Sequence, residues 1–217
     1  MIVPDLRLVM FDLDGTVVDT LGPTFACFQA AVAPVLGRTP SREEILARFG
    51  PADHEIVSTW VGEAEAEAAV ERLYACYEHA FHDSAPFPGM VELLGDLRSH
   101  GVSTALFTGR GRPSTDVILR AMHLDALFAT TVTGDEVPRS KPAPDGIVTI
   151  LRRLSVPPEH AVYVGDTIMD VESAEAAGVL PLAALWRCPE PERFTGLKIP
   201  KADTVPDLRT LLLGQTL

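Results

Sequence analysis

Short apolar runs recur along the chain, and each is followed by a stretch with helical spacing. The first is Leu6-Arg7-Leu8-Val9-Met10-Phe11, which stops at Asp12. Ser103 to Phe107, Ala161 to Val164 and Leu180 to Leu185 repeat it, and Thr130 to Thr133 is a weaker member. Runs this short and this continuously apolar suit parallel strands that helices cover on both faces. Met90 to His100 carries Val91, Leu94 and Leu97 on one helical face and stops at Gly101. Pro113 to His123 begins with a proline in its first turn, Pro144 to Leu154 follows, and Ile168 to Ala177 ends at Gly178. Strand and helix in alternation, with short loops, predict an α/β fold. Its sheet is doubly wound, mostly parallel and Rossmann-like.

One region breaks the alternation. Between about Asp19 and Pro86 only helical patterns occur. Pro23 to Leu36 is one, and Ser41 opens another with Glu44 three residues on, the spacing of a capping box. A third, Glu63 to Phe81, spaces Val70, Leu73, Tyr74, Tyr77 and Phe81 along a helix face. Its Glu-Ala alternation at 63–68 reads as an exposed helix start that favours acids. Pro86-Phe87-Pro88-Gly89 reads as the hinge back to the sheet. The expected organisation is a Rossmann-like core of residues 1–18 and 87–217, with an all-helical cap at 19–86.

A chain of 217 residues buries a full core without staples. Its 18 basic and 30 acidic residues leave a net charge of −12. So acidic a surface repels phosphate backbones and anionic lipid, so neither nucleic acid nor membrane is an expected partner. A monomer or homodimer acting on a small molecule is expected instead. Cys27, Cys76 and Cys188 are far apart, odd in number and lack a CxxC pair. They read as reduced thiols of a cytoplasmic protein. No apolar run reaches the length of a membrane helix.

Four aspartates fall at the carboxyl ends of the expected strands. Asp12 and Asp14 follow the first, Asp166 follows Tyr163-Val164-Gly165, and Asp170 lies four residues on. Open α/β sheets bind ligands outside those strand ends. Two carboxylates about 4 Å apart repel by about 4 kcal/mol at an effective dielectric near 20. Such a cluster needs a proton, a cation or both, and Mg²⁺ suits a few carboxylates completed by water and phosphate oxygens. An EF-hand loop is excluded, because its invariant glycine would fall elsewhere and its twelfth position is Pro23. Thr108-Gly109-Arg110 offers a hydroxyl and backbone N–H groups at another strand end, suited to phosphoryl oxygens. Lys141 sits in a proline-stiffened loop, Ser140-Lys141-Pro142-Ala143-Pro144. Gly109-x-Gly111-x-x-Ser114 only partly matches a dinucleotide loop, and no P-loop is present.

Asp12-Leu13-Asp14-Gly15-Thr16, Thr108, Lys141-Pro142 and Gly165-Asp166 with Asp170 resemble the four motifs of the haloacid dehalogenase superfamily, in the right order. The helical insertion resembles the cap of its phosphoglycolate phosphatase-like branch. The resemblance implies that Asp12 is a nucleophile forming an aspartyl-phosphate, and that Asp14 serves leaving group and water as acid and base. It implies that Thr108 and Lys141 hold the phosphoryl group. Mg²⁺ would be held by the Asp12 carboxylate, the Asp14 backbone carbonyl and Asp166, with Asp170 orienting water or Lys141. Asp14 favours phosphoryl transfer over dehalogenation, since a halide leaves without an acid. After the hydroxyl residue Thr108, where many relatives carry asparagine, this chain continues Gly109-Arg110. Arg110, beside Gly109, is equally a cation for a second anionic group of the substrate or a surface arginine.

In the cap, Arg48-Phe49-Gly50-Pro51-Ala52-Asp53-His54-Glu55 is the expected substrate loop, with Arg48 and His54 as contact candidates. His79 and His82, lacking a third ligand, read as solvated. The expected activity is Mg²⁺-dependent hydrolysis of a small phosphorylated metabolite, phosphoglycolate-like or pyrophosphate-like. A sugar phosphomutase using the same phosphoenzyme is the alternative, and a non-catalytic regulatory protein is a third.

Overall fold

Leu8, Val9, Met10 and Phe11 offer no polar side chain to water and form strand β1 (Leu8–Phe11), buried at every residue. The computed structural model describes residues 2–214. The other strands are β2 (Ser103–Thr108), β3 (Thr130–Thr133), β4 (Ala161–Gly165), β5 (Leu180–Ala184) and β6 (Lys201–Ala202). They form one six-stranded sheet in the order β3-β2-β1-β4-β5-β6, with every pairing parallel. Alternate residues of β1 serve opposite faces. Val9 and Phe11 join one apolar cluster with Leu106, Val162 and Leu182. Leu8 and Met10 join another with Phe107, Tyr163 and Ile147.

Helices cover both faces, as a parallel sheet requires. The first cluster takes in α5 (Met90–Ser99), α6 (Arg112–Ala121) and α9 (Val205–Leu213) through Leu94, Ile118 and Leu208. The second takes in α7 (Asp145–Leu154) and α8 (Ile168–Ala176) through Ile150 and Ala174. No helix among the described residues is long and apolar enough to cross a membrane.

Four helices intervene between β1 and α5: α1 (Leu21–Leu36), α2 (Arg42–Leu46), α3 (Asp53–Val61) and α4 (Glu63–His82). The expected capping box opens α2, with Ser41 and Glu44 serving each other's backbone N–H groups. The two passages of chain into and out of these helices are tied together. Val18 bridges to Pro86, and the Phe87 N–H donates to the Val17 carbonyl at 3.0 Å.

The cysteine expectation fails. Cys27 of α1 and Cys76 of α4 form a disulfide, with Cα atoms 5.4 Å apart, and only Cys188 is a free thiol. The two helices pack side by side through Phe28, Ala31, Leu73 and Tyr77, which brings positions 49 apart in sequence into register. Disulfides persist in oxidising compartments, so unpaired thiols no longer support a cytoplasmic placement. The pattern also misses α3, whose first residues fall in the expected loop, together with β6 and α9.

Candidate active site

In this strand order the chain winds outward in opposite directions from β1 and β4, which opens a crevice beyond their carboxyl ends. Asp12 follows β1, and its N–H donates to the Val164 carbonyl of β4 at 2.9 Å. Asp166 follows β4, and Asp170 stands in the first turn of α8. Asp12, Asp166 and Asp170 each offer a carboxylate oxygen, and these lie within 4.8 Å of one another. All three residues are buried. Gly15 makes this approach possible. It sits at φ +75°, and a Cβ there would run into the Asp166 carboxylate.

Lys141 Nζ lies 2.7 Å from Asp12 and 2.7 Å from Asp170, above the Phe107 and Tyr163 rings. Asp170 is held in turn by the Thr167 N–H and hydroxyl and by the Tyr163 hydroxyl. Burial and the neighbouring carboxylates push Asp12 up to about 7, against the pull of Lys141. Burial, with Asp12 and Asp170 beside it, pushes Asp166 up to about 8. Burial opposes the Lys141 charge, but Asp12 and Asp170 outweigh it and hold the ammonium above its ordinary range. Three buried carboxylates whose oxygens converge in this way are the donor set of a hard divalent cation, and Mg²⁺ fits it.

Asp14 belongs to a different network. Thr20 donates a very short hydrogen bond to it, and the Arg110 Nε and Nη2 donate at 2.8–3.0 Å. Burial would raise the Asp14 pKa, but Arg110 and Thr20 outweigh it and hold the carboxyl below its usual range. Arg110 also donates to Asp53 of α3 at 3.2 Å, Tyr77 of α4 at 3.2 Å and Thr24 of α1 at 2.7 Å. Both of its ion pairs are made by a buried guanidinium. One core arginine therefore gathers three of the inserted helices over the strand ends. Thr108 is fully buried at the end of β2, where its hydroxyl accepts the Arg110 backbone N–H at 3.2 Å and keeps its own proton to donate.

A cleft of about 290 Å³ opens over these groups. Asp12, Asp14, Gly109, Arg110, Lys141 and Asp166 line it. Arg48 and His54 do not, and here the sequence expectation is corrected. The Arg48 guanidinium stacks 4.1 Å above the Trp60 ring and donates to the Glu44 carbonyl. His54 borders a separate cavity with Ser58, Tyr74 and Pro113. The reason is helical phase. In α3, Asp53 and Ile56 share the face toward the cleft, while His54 and Ser58 share the next one. Arg110 lies inside the site rather than on the surface. His79 and His82 are exposed.

A family model described as haloacid dehalogenase-like hydrolase matches residues 9–184, from β1 to the end of β5. The chain belongs to this family. Phosphoglycolate phosphatase 1 of Pseudomonas aeruginosa is 32% identical over 187 residues, covering 80% of this chain and 67% of that protein. Pyrophosphatase PpaX of Bacillus thuringiensis is 28% identical over 183 residues, covering 83% and 84%. Among solved structures, CbbY from Rhodobacter sphaeroides in complex with phosphate aligns with a TM-score of 0.77 and 25% identity, covering 92% of this chain and 94% of that one.

Within this haloacid dehalogenase-like fold the sequence reading missed Asp53, Thr20, Thr24 and Tyr77. Only Asp53 left a signal. An arginine placed beside a phosphoryl site demands carboxylate partners, and the 48–55 loop holds two, Asp53 and Glu55. Thr24 and Tyr77 look like ordinary helix residues, and nothing short of packing reveals them.

Proposed function

We propose that the chain is a Mg²⁺-dependent phosphatase that cleaves a small phosphomonoester through a phosphorylated Asp12. The observation that carries this reading is Lys141, bridging Asp12 and Asp170 at 2.7 Å each beside the three-carboxylate cluster. Asp12 attacks phosphorus in line with the ester oxygen, which departs as the aspartyl-phosphate forms. Lys141 and the Thr108 hydroxyl hold the phosphoryl oxygens, joined by the Gly109 backbone. Asp12, Asp166 and the Asp14 backbone carbonyl would hold Mg²⁺, which would supply neutralisation of charge on the phosphoryl group. Asp170 keeps Lys141 aimed.

Asp14 is held as an anion by Arg110, so it is ready to take a proton from the attacking water. To give a proton to the leaving oxygen it must first be released from that grip. Without metal, the order of proton affinity puts Asp12 above Asp14, and a cation held by Asp12 would supply the reversal that acid catalysis needs. The inserted helices act as the cap that closes over this chemistry and excludes water.

The test is release of phosphate from phenyl phosphate with and without Mg²⁺. Wild-type protein is expected to turn over only with the metal, and Asp12→Asn is expected to lose activity by at least about a thousandfold, or some 4 kcal/mol of barrier. Turnover by Asp12→Asn at the wild-type rate rejects the phosphoenzyme.

A further inference from the structure

The cleft divides into two regions of different chemistry. Asp12, Lys141 and Asp166 line it at the strand ends. Leu21, Phe49, Pro51 and Ile56 from the inserted segment, with Met169 and Pro189 from the core, form an apolar wall where a leaving group would lie. Six large apolar side chains are exposed among the described residues, and three of them, Leu21, Phe49 and Met169, stand in this wall. Exposed apolar side chains gathered at a cleft are an unsatisfied surface that an apolar ligand covers.

The charges agree. Asp12, Asp14, Asp53 and Asp166 line the cleft against only two cations, Lys141 and Arg110. Lys141 is held between Asp12 and Asp170 and faces the phosphoryl position. A guanidinium has five N–H donors. In Arg110, Nε and one Nη2 proton serve Asp14, the other Nη2 proton serves Thr24, and the two Nη1 protons serve Asp53 and Tyr77. No donor is left for substrate. A carboxylate or second phosphate on the leaving group would reach Arg110 only by displacing Asp14 or Asp53. The first would take the acid–base carboxylate from its cation, and the second would strand a buried carboxylate without one. A polyol fares little better, since Thr24 and Asp53, the polar side chains that the inserted helices bring to the cleft, already bond Arg110.

Resting on the phosphatase reading above, we propose that the substrate is a phosphomonoester with an uncharged, apolar leaving group, and that the Asp14–Arg110–Asp53 chain rejects a second anionic centre. Arg110 is thus a specificity-determining residue that acts by being neutralised. A cleft of about 290 Å³ limits the leaving group to a small one.

The experiment compares kcat/KM for isobutyl phosphate, phosphoglycolate, glucose 1-phosphate and phenyl phosphate, all with Mg²⁺. Isobutyl phosphate replaces the carboxylate of phosphoglycolate by an apolar group of the same shape. It is expected to exceed phosphoglycolate by at least about tenfold, mainly through KM, and phenyl phosphate to exceed glucose 1-phosphate likewise. Asp53→Asn, which frees the Arg110 charge at constant size, is expected to move the isobutyl-to-phosphoglycolate ratio toward phosphoglycolate by about tenfold. Equal or better turnover of phosphoglycolate by wild type overturns the inference while leaving the phosphatase intact. An advantage for glucose 1-phosphate overturns the apolar leaving group. If Asp53→Asn folds and the ratio stays put, Arg110 is not the discriminator. Should the variant fail to fold, the wild-type ratios still decide. No turnover of any ester, phenyl phosphate included, removes the phosphatase reading itself and this inference with it.

Discussion

Arg110 joins two carboxylates that arise far apart in the chain, and its removal should show in two independent readouts. Arg110→Gln leaves Asp14 and Asp53 without their cation, and breaking such a buried pair costs about 3–5 kcal/mol. Thermal unfolding is expected to fall accordingly. Since Arg110 holds the Asp14 carboxyl low, its loss lets that pKa rise, and the acidic limb of phosphoenzyme hydrolysis, followed in single turnovers, should move to higher pH. A limb that does not move removes Asp14 from the role of base. Gly15 makes a second test at this scale. At φ +75° an alanine is strained, and its methyl group meets the Asp166 carboxylate. Gly15→Ala is expected to weaken Mg²⁺ binding by at least about tenfold in a calorimetric titration. Unchanged metal affinity would mean that Asp166 is not a ligand.

The disulfide makes the inserted helices a testable unit. It closes a loop of 49 residues between α1 and α4, which in the chain-entropy picture is worth up to about 4 kcal/mol. Reduction, or Cys76→Ser, is expected to lower the melting temperature by several degrees, because one kcal/mol shifts a chain of this size by about 2–4 °C. A reduced protein that melts with the oxidised one would show that the helices are held by packing alone. Much at this scale was legible in the sequence. Four of the six strands announce themselves as runs too apolar to be anything but buried, and α2 carries its capping box in plain view. Helix α3 was hidden because its N-cap is Ala52, whose side chain caps nothing. Glu55 alone reaches back to the Ala52 N–H. Strand β6, at two residues, is too short to carry a pattern. The four acids were readable because strand ends fix their positions. The partners of Arg110 were not, since Asp53 lies 57 positions away on a helix whose phase only packing sets.

Across the whole molecule, the buried acids tie stability to pH in the direction opposite to ordinary acid denaturation. Asp12 is raised from 3.8 to about 7 by burial with Asp170 and Asp14 nearby, and Asp166 to about 8 by burial with Asp12 and Asp170 nearby. Without metal, the folded chain therefore keeps protons that the unfolded chain has already lost above about pH 4. Their contribution to stability is complete below that pH and disappears as pH rises through about 7 to 8, since deprotonation then places unneutralised charge in a buried cluster. Mg²⁺ needs those same oxygens deprotonated, so its stabilisation must grow as protons leave. At a hundred times its Kd a ligand adds about 2.7 kcal/mol, a shift of roughly 5–10 °C here. Melting curves with and without Mg²⁺ at about pH 5.5 and about pH 8 read this directly. The expected result is a small metal effect at the lower pH and the full effect at the higher, with the metal-free protein itself less stable at the higher pH. Asp166→Asn should remove the metal effect and at about pH 8 make the metal-free protein more stable than wild type, because one of the two competing carboxylates is gone. A metal shift of equal size at both pH values, or one that survives Asp166→Asn, would place the cation somewhere other than between β1 and β4.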